Sequence, residues 1–413
     1  MHVKTKITAI TLVIMVMMMA VTALFTLPDG KERYKEGIML DFGDHTGDWI
    51  VTLSHGRDGR SVIEAACEEK EYPVIFDGDN VASVNGIASS AERTWDLWTW
   101  SHGHGWKKAS TPVSVTLSDG IYASLALTYK GQEPLIPCVD SAGKSVFGTG
   151  TKIVSLSAVA TEILCKTGNI DSLVAVDYYS NYPEEVVTRG LVKEWGFYLT
   201  PPTAEIVAAY DPDLVVGEEG NHDDLMNILR EAGIRCVSLY QADTLETVYR
   251  NIWLIGAATG RTDEASATIR EMKEDLNDIL ENPNISNFDG KTAVILMGNE
   301  WYIAAIGRGT FINNVLSKAG IINAYDADGW IMNTEYIMTK VPDIVIFIAD
   351  EDMSGVNIKS LINSNLPSWP NPSGDTWAGI PLYYVDGQYG DMFLRAGPRI
   401  ITALEALIDA GPV

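Results

Sequence analysis

Residues 203–216 read TAEIVAAYDPDLVV, and residues 333–346 read NTEYIMTKVPDIVI. Each stretch has a Glu (Glu205, Glu335), a Pro–Asp beginning seven residues on (Pro212–Asp213, Pro342–Asp343), and then an apolar run. A helical segment stopped by Pro and followed by a short buried strand is one crossover unit of a parallel sheet. The unit occurs twice, 130 residues apart, which predicts two α/β lobes of one design.

The surrounding sequence fits that reading. From 152 onward, KIVSLS, SLVAVD, PDLVVG and IRCVSLY read as strands, separated by the helical segments ATEILCKTG, TAEIVAAYD and HDDLMNILREAG. Gly168 and Gly233 fall where helices stop. Residues 244–283 are helical through most of their length, interrupted only by Gly256 and Gly260. Alternation then resumes with KTAVILMG, TFINNVLSKAG, TEYIMTKV, PDIVIFIAD, IKSLINS, PLYYVDG and RAGPRIITALEALIDAG. The expected organisation is a first lobe at 150–243, a helical spine at 244–284 and a second lobe at 285–413.

Residues 38–140 differ. DWIVTLSHG and VSVTLSDGIYASLALTY carry β-branched and alternating apolar residues broken by turn signals. SVIEAACEEK (61–70) has helical spacing, and TWDLWTW (94–100) is strand-like. This predicts a small β-rich domain, followed by a linker at 140–151. His102 and His104 in the SHGHGW turn read as exposed turn histidines, since no third ligand accompanies them.

At the N-terminus, Lys4 and Lys6 precede an uncharged run from Ile7 to Leu27, 21 residues long. That length spans a bilayer core as a helix. Residues 1–28 are therefore expected to be a signal or a membrane anchor, placing the protein outside the cytoplasmic membrane, anchored by 7–27. No Cys follows the run, which excludes a lipid-modified N-terminal Cys. The four cysteines form no CxxC or Cys/His cluster, so no structural zinc site is expected. Cys165 and Cys236 read as buried thiols, while a Cys67–Cys138 disulfide stays open. A net charge of −25 over 413 residues argues against a nucleic-acid partner.

KIVSLSAVATEILCKTGNIDSLVAVDYYSNYPEEV, AEIVAAYDPDLVVG, IWLIGAATGRTDEA and FLRAGPRIITALEAL together resemble the substrate-binding proteins of cobalamin and ferric-siderophore ABC importers. The resemblance covers about residues 150–413. It implies two Rossmann-like lobes bridged by a long helix, with ligand held between them. It implies that Glu205 and Glu335 each dock on one subunit of an ABC permease dimer, which works with its ATPase. SVIEAACEEK, SVNGI and the Trp-rich strand are similar to the β-rich module at the C-terminal end of transcobalamin-type proteins.

Loops after the strands supply the candidate ligand contacts: Tyr179, Trp195, Trp301, Trp330, Phe393 and Arg395. By resemblance, Tyr179, Trp195, Trp330 and Arg395 match ligand-facing positions of cobalamin binders. Aromatic walls suit a large planar macrocycle. Arg395, with Arg308 the only other obvious basic candidate, is too little charge for a highly anionic chelate, which favours a corrinoid. Ferric-siderophore or haem binding is the alternative, with Tyr178, Tyr179 and Tyr182 available to iron; a surface receptor or sensor without transport is another. The sequence has no GxSxG, HExxH, P-loop or strand-following GxGxxG, so no catalytic residues, resident cofactor or metal are expected. Adjacent acids such as Glu218–Glu219 and Glu351–Asp352 read as solvated loop residues.

Overall fold

The computed structural model describes residues 34–43, 48–101, 105–116, 125–129, 140–144, 146, 148–197, 200–370, 377, 379–385 and 387–413. The apolar run at 7–27, His102, His104 and Cys138 lie outside them. Among the described residues, no helix is long and apolar enough to cross a membrane. The chain divides into two compact units. One holds the described residues up to Gln241 with Tyr249–Ile269, and the other Ala242–Val248 with Arg270–Val413.

The first unit begins with β1 (Tyr34–Asp41), β2 (Asp48–Ser54), helix α1 (Gly59–Glu69), β3 (Val74–Asp77), β4 (Asn80–Val84), β5 (Ile87–Ala88), β6 (Trp95–Ser101), β7 (Gly105–Lys108) and β8 (Leu125–Tyr129). Five strands form a sheet in the order β2-β1-β8-β6-β7, and β3-β4-β5 form a second. Asp58 caps α1 by accepting from the Ser61 N–H at 3.0 Å. The helix buries Val62, Ile63, Ala66 and Cys67 with Ile38, Leu40, Trp95 and Leu127. Cys67 is a free buried thiol, and Cys138, the partner the sequence left open for it, lies outside the described residues.

These strands fall in the same compact unit as the first lobe. The lobe comprises β9 (Ile153–Ser155), α2 (Ala158–Lys166), β10 (Leu173–Val176), α3 (Glu184–Thr188), α4 (Ala204–Ala208), β11 (Leu214–Glu218), α5 (Asp223–Glu231) and β12 (Cys236–Leu239). Its four strands are all parallel, in the order β10-β9-β11-β12. The supposed linker docks on edge strand β12. Ser141 N–H donates to Ser238 O, Ser238 N–H donates to Asp140 Oδ2, and Arg230 pairs with the same carboxylate at 3.0 Å. The unpaired backbone of an open sheet edge is satisfied this way. Trp100 of β6 also lies 6.4 Å from Trp253, centroid to centroid.

Two helices follow where one long spine was expected: α6 (Leu245–Thr259) and α7 (Thr262–Glu281). Gly260 has φ +72°, a left-handed conformation that ends α6. Both helices contribute residues to both compact units.

The second lobe contains β13 (Thr292–Gly298), β14 (Ile303–Ile306), α8 (Phe311–Lys318), β15 (Ile322–Asn323), β16 (Trp330–Ile331), α9 (Thr334–Ile337), β17 (Ile344–Ala349), α10 (Ile358–Asn365), β18 (Leu382–Val385), α11 (Gly387–Leu394) and α12 (Ile400–Asp409). Its sheet runs β16-β14-β13-β17-β18, with β15 also paired to β13. β13, β15, β17 and β18 pair in parallel, while β14 and β16 join antiparallel. Every residue of β17, IVIFIA, is buried, as a central strand covered on both faces requires. Burial of each large side chain there contributes about 1.5–3 kcal/mol.

Candidate functional site

The repeated unit has two parts with different roles. Its Asp is structural. Asp213 accepts from the Thr151 and Lys152 N–H groups at 3.0 and 3.1 Å and from the Thr151 hydroxyl at 2.5 Å. Its own N–H donates to Lys152 O. Asp343 does the same on a smaller scale: it accepts from Thr292 N–H at 2.9 Å and donates to Thr292 O at 2.8 Å. In each lobe the Pro–Asp thus ties the start of one strand to the start of its parallel neighbour, β11 to β9 and β17 to β13.

The Glu of the unit is a surface group. Glu205 and Glu335 both sit in the first turn of their short helices and both are exposed. Thr203 and Asn333 cap those helices, accepting from Ile206 N–H and Tyr336 N–H. Hydrogen bonds from the Thr203 side chain and its own backbone hold the Glu205 carboxyl below its ordinary range. A crossover helix runs antiparallel to its strands, so each N-terminus lies at the C-terminal edge of its own sheet. That edge is where ligands meet open α/β sheets.

At the first lobe's edge, Tyr178 and Tyr179 follow β10 and meet edge-on at 5.5 Å. Tyr178 is exposed and Tyr179 half-buried. Trp195 is placed differently from expectation: only 7% of it is exposed, and it packs with Leu156, Val207 and Met226 in the lobe's core. The carbonyl of Trp195 accepts from Tyr178 N–H, which turns the strand-end loop back over the indole. In the second lobe, Trp301 stands 61% exposed at the tip of the β13–β14 hairpin. A Cβ on Gly298 would come within 2.1 Å of Tyr302 O, so this tight hairpin needs glycine there. Trp330 is half-buried in β16. Phe393 is 1% exposed: α11 turns it inward and its neighbour Leu394 outward. It is a core residue, not a wall. Arg395 is ion-paired to Asp391 at 2.9 Å, one helical turn back.

A further set of residues escaped the sequence reading. Asp177 follows β10, Glu218 ends β11, and Asp350 follows β17; each acid directly succeeds an apolar run, the signal that could have singled them out. Asp177 is 3% exposed and accepts from the Ser180 hydroxyl at 2.5 Å. Ser180 continues through Thr161 to Ser155, a chain of buried hydroxyls at 2.7 and 2.8 Å. Glu218 is not a solvated loop residue. Burial, reinforced by the charge of Asp177, pushes its carboxyl up to about 7. His222 is buried, its Nδ1 accepts from Glu218 N–H at 3.1 Å, and burial pushes it down to about 4. In the second lobe, Tyr302 Oη donates to Asp350 Oδ2, while Oδ1 is buried with no partner among the described residues. Burial raises Asp350 above its ordinary range despite hydrogen bonds from Tyr302 and Asn299. Among the described residues, no cluster of three or more His, Cys, Asp or Glu side chains could hold a metal.

Two α/β lobes, one parallel and one mixed, each carry one exposed Glu in an equivalent position. The model of the periplasmic binding protein family matches residues 153–366, more than half of the chain, and the chain belongs to that family. It is a binding protein and not an enzyme. It is 30% identical over 271 residues to an uncharacterized ABC transporter substrate-binding lipoprotein, YvrC, of Bacillus subtilis, covering 63% of this chain and 79% of that one. A cobalamin-binding protein of Halobacterium salinarum is 24% identical over 221 residues, 51% of this chain and 57% of its own length. Among solved structures, a possible iron-binding (periplasmic solute-binding) protein from Staphylococcus epidermidis superposes with a TM-score of 0.50 at 24% identity, over 63% of this chain and 98% of that one. That likeness concerns the fold.

Proposed function

We propose that this chain is the extracytoplasmic substrate-binding protein of an ABC importer and that it captures a corrinoid. The observation that carries the importer reading is the pair of exposed carboxylates, Glu205 and Glu335, on equivalent helix N-termini at the ligand-side edges of their sheets. Two like charges on two lobes of one design suit a two-fold permease partner. Such rim charges set orientation and association rate. The names of YvrC and of the Halobacterium protein support the same reading. So does the chemistry near the strand ends: Tyr179, Trp301 and Trp330 offer aromatic area, and Arg395 is already neutralised by Asp391. A ferric siderophore or haem would call for more free positive charge.

The apolar run at 7–27 is read as the tether that keeps the protein near its permease. The β-rich region is read as a transcobalamin-like accessory module.

Titration of the purified protein with cyanocobalamin, haemin and a ferric siderophore, followed by Trp fluorescence, tests the ligand. Cyanocobalamin is expected to quench at micromolar concentration or below; quenching by haemin or the siderophore alone would replace the corrinoid. For docking, Glu205→Ala combined with Glu335→Ala should leave ligand binding intact and abolish uptake in cells that depend on this importer. Normal uptake by the double variant would remove the docking role.

A further inference from the structure

The feature left unused by that reading is the acid pair at the first lobe's edge. Parallel pairing of β10 and β11 on either side of β9 brings Asp177 and Glu218 to one edge of the sheet, with Ser157, the N-cap of α2, just beyond β9. The titratable groups on the surrounding elements are Asp177 and Tyr179 after β10, Lys193 and Glu194 on the 191–197 segment paired with Val176, Glu162 on α2, His222 and Asp223 at the start of α5, and Glu219 beside Glu218 itself. The Asn221 side-chain amide donates to Glu218 Oε2 at 3.4 Å. Lys193 is the cation of this set, and its ammonium is taken up by Gly190 O at 2.9 Å and the face of Tyr210. His222 is kept neutral by burial, and among the described residues no Lys or Arg forms an ion pair with Glu218. The second lobe repeats the theme independently: the carboxylate of Asp350, directly after β17, has one buried oxygen with no partner among the described residues.

We propose that Glu218, acting with Asp177, sets the charge selectivity of the ligand site: it turns away anionic chelates and admits neutral, amide-bearing ones. This rests on the reading that ligand meets the strand-end edge. A half-buried carboxylate not ion-paired to any described Lys or Arg favours a hydrogen-bond donor over a second carboxylate. Near neutral pH, Glu218 changes from a protonated acid to a second negative charge beside Asp177. The rejection of anions therefore strengthens as pH rises from 6 to 8, while a ligand without net charge is held alike throughout.

The test measures Kd for cyanocobalamin and for haemin, with its two propionates, at pH 6, 7 and 8. Wild type, Glu218→Gln and Asp177→Asn are compared, each checked for a wild-type circular dichroism spectrum and urea midpoint. Wild type should weaken toward haemin by about tenfold from pH 6 to 8 beyond any change in Glu218→Gln. Cyanocobalamin affinity should stay within about twofold. Asp177→Asn removes the charge that helps raise Glu218, so the midpoint of the haemin profile should move to lower pH; a merely structural role for Asp177 would not move it. Haemin binding that appears only in Glu218→Gln also supports the proposal. Equal haemin profiles in wild type and Glu218→Gln, or no haemin binding by any form, would overturn it even if cyanocobalamin binds. Failure of cyanocobalamin at every pH, with a haemin profile still flattened by Glu218→Gln, would sink the corrinoid reading and leave the charge selectivity standing.

Discussion

The two lobes carry the same Glu–helix–Pro–Asp–strand unit on sheets built differently. In the first, four strands run parallel and the ligand-side loops leave the sheet directly. In the second, the β13–β14 hairpin and β16 add antiparallel strands, and that hairpin lifts Trp301 into solvent while setting Tyr302 against Asp350. The shared parts are the ones with fixed geometric duties. An Asp ties two strand starts together, and a Glu marks the surface. The loops between them diverged, since they answer to whatever they contact and not to the sheet.

The aromatic residues offer the sharpest way to break this comparison. Phe393→Ala should destabilise the second lobe by about 3–5 kcal/mol in urea unfolding, because a fully buried ring leaves a cavity. Trp301→Ala should change stability by less than about 0.5 kcal/mol, since the ring is exposed, and should show its effect in ligand-induced fluorescence. A large stability loss at Trp301, or none at Phe393, would reverse the division between scaffold and ligand-side loop.

The Asp ties should rank by their donors. Burial alone would raise Asp213, but hydrogen bonds from Thr151 and Lys152 outweigh it and hold the carboxyl below its ordinary value of 3.8. Asp213→Ala should cost about 1–3 kcal/mol and Asp343→Ala about 1 kcal/mol, both discounted because these residues are exposed. The Asp213 contribution is present above its unfolded pKa and is lost as pH falls through the lower folded value, below about 4. Urea midpoints at pH 7 and pH 3 check both points; equal costs at pH 7 would make the ties equivalent.

A pH-dependent effect concerns Glu218 and the buried His222 of the first lobe. The Glu218 carboxyl is raised from 4.5 to about 7, so its contribution is largest below 4.5 and is lost as pH climbs to 7. His222 is lowered from 6.5 to about 4, so its neutral burial stabilises above 6.5 and is lost as pH falls to 4. The two slopes oppose each other between pH 4.5 and 6.5. Glu218→Gln should unmask a stability that rises with pH across that window, and His222→Asn one that falls, each by about 1–2 kcal/mol. Parallel slopes in the two variants would show that these groups do not titrate as placed.

Much of this molecule is local information. Alternating apolar runs and helix stops show β9 to β12 and, in the second lobe, β13, β17 and β18, and the doubled Pro–Asp located two strand starts; the short β14, β15 and β16 did not stand out. A strand or helix announces itself through the spacing of its own residues. Exposure does not. Trp195 and Trp301 are both loop tryptophans beside apolar runs, yet one is core and the other surface, because backbone from other positions closes over the first. The break at Gly260 was visible as a residue, but its left-handed turn depends on how α7 packs back on α6. Glu218 stood beside Glu219 in a run that read as solvated. Its raised pKa comes from burial and from the charge of Asp177, 41 positions away, brought to its side by parallel pairing; the hydrogen bonds from Asn221 and Ser157 pull the other way. Desolvation and like-charge repulsion are sums over neighbours in space, and chain order does not contain that sum.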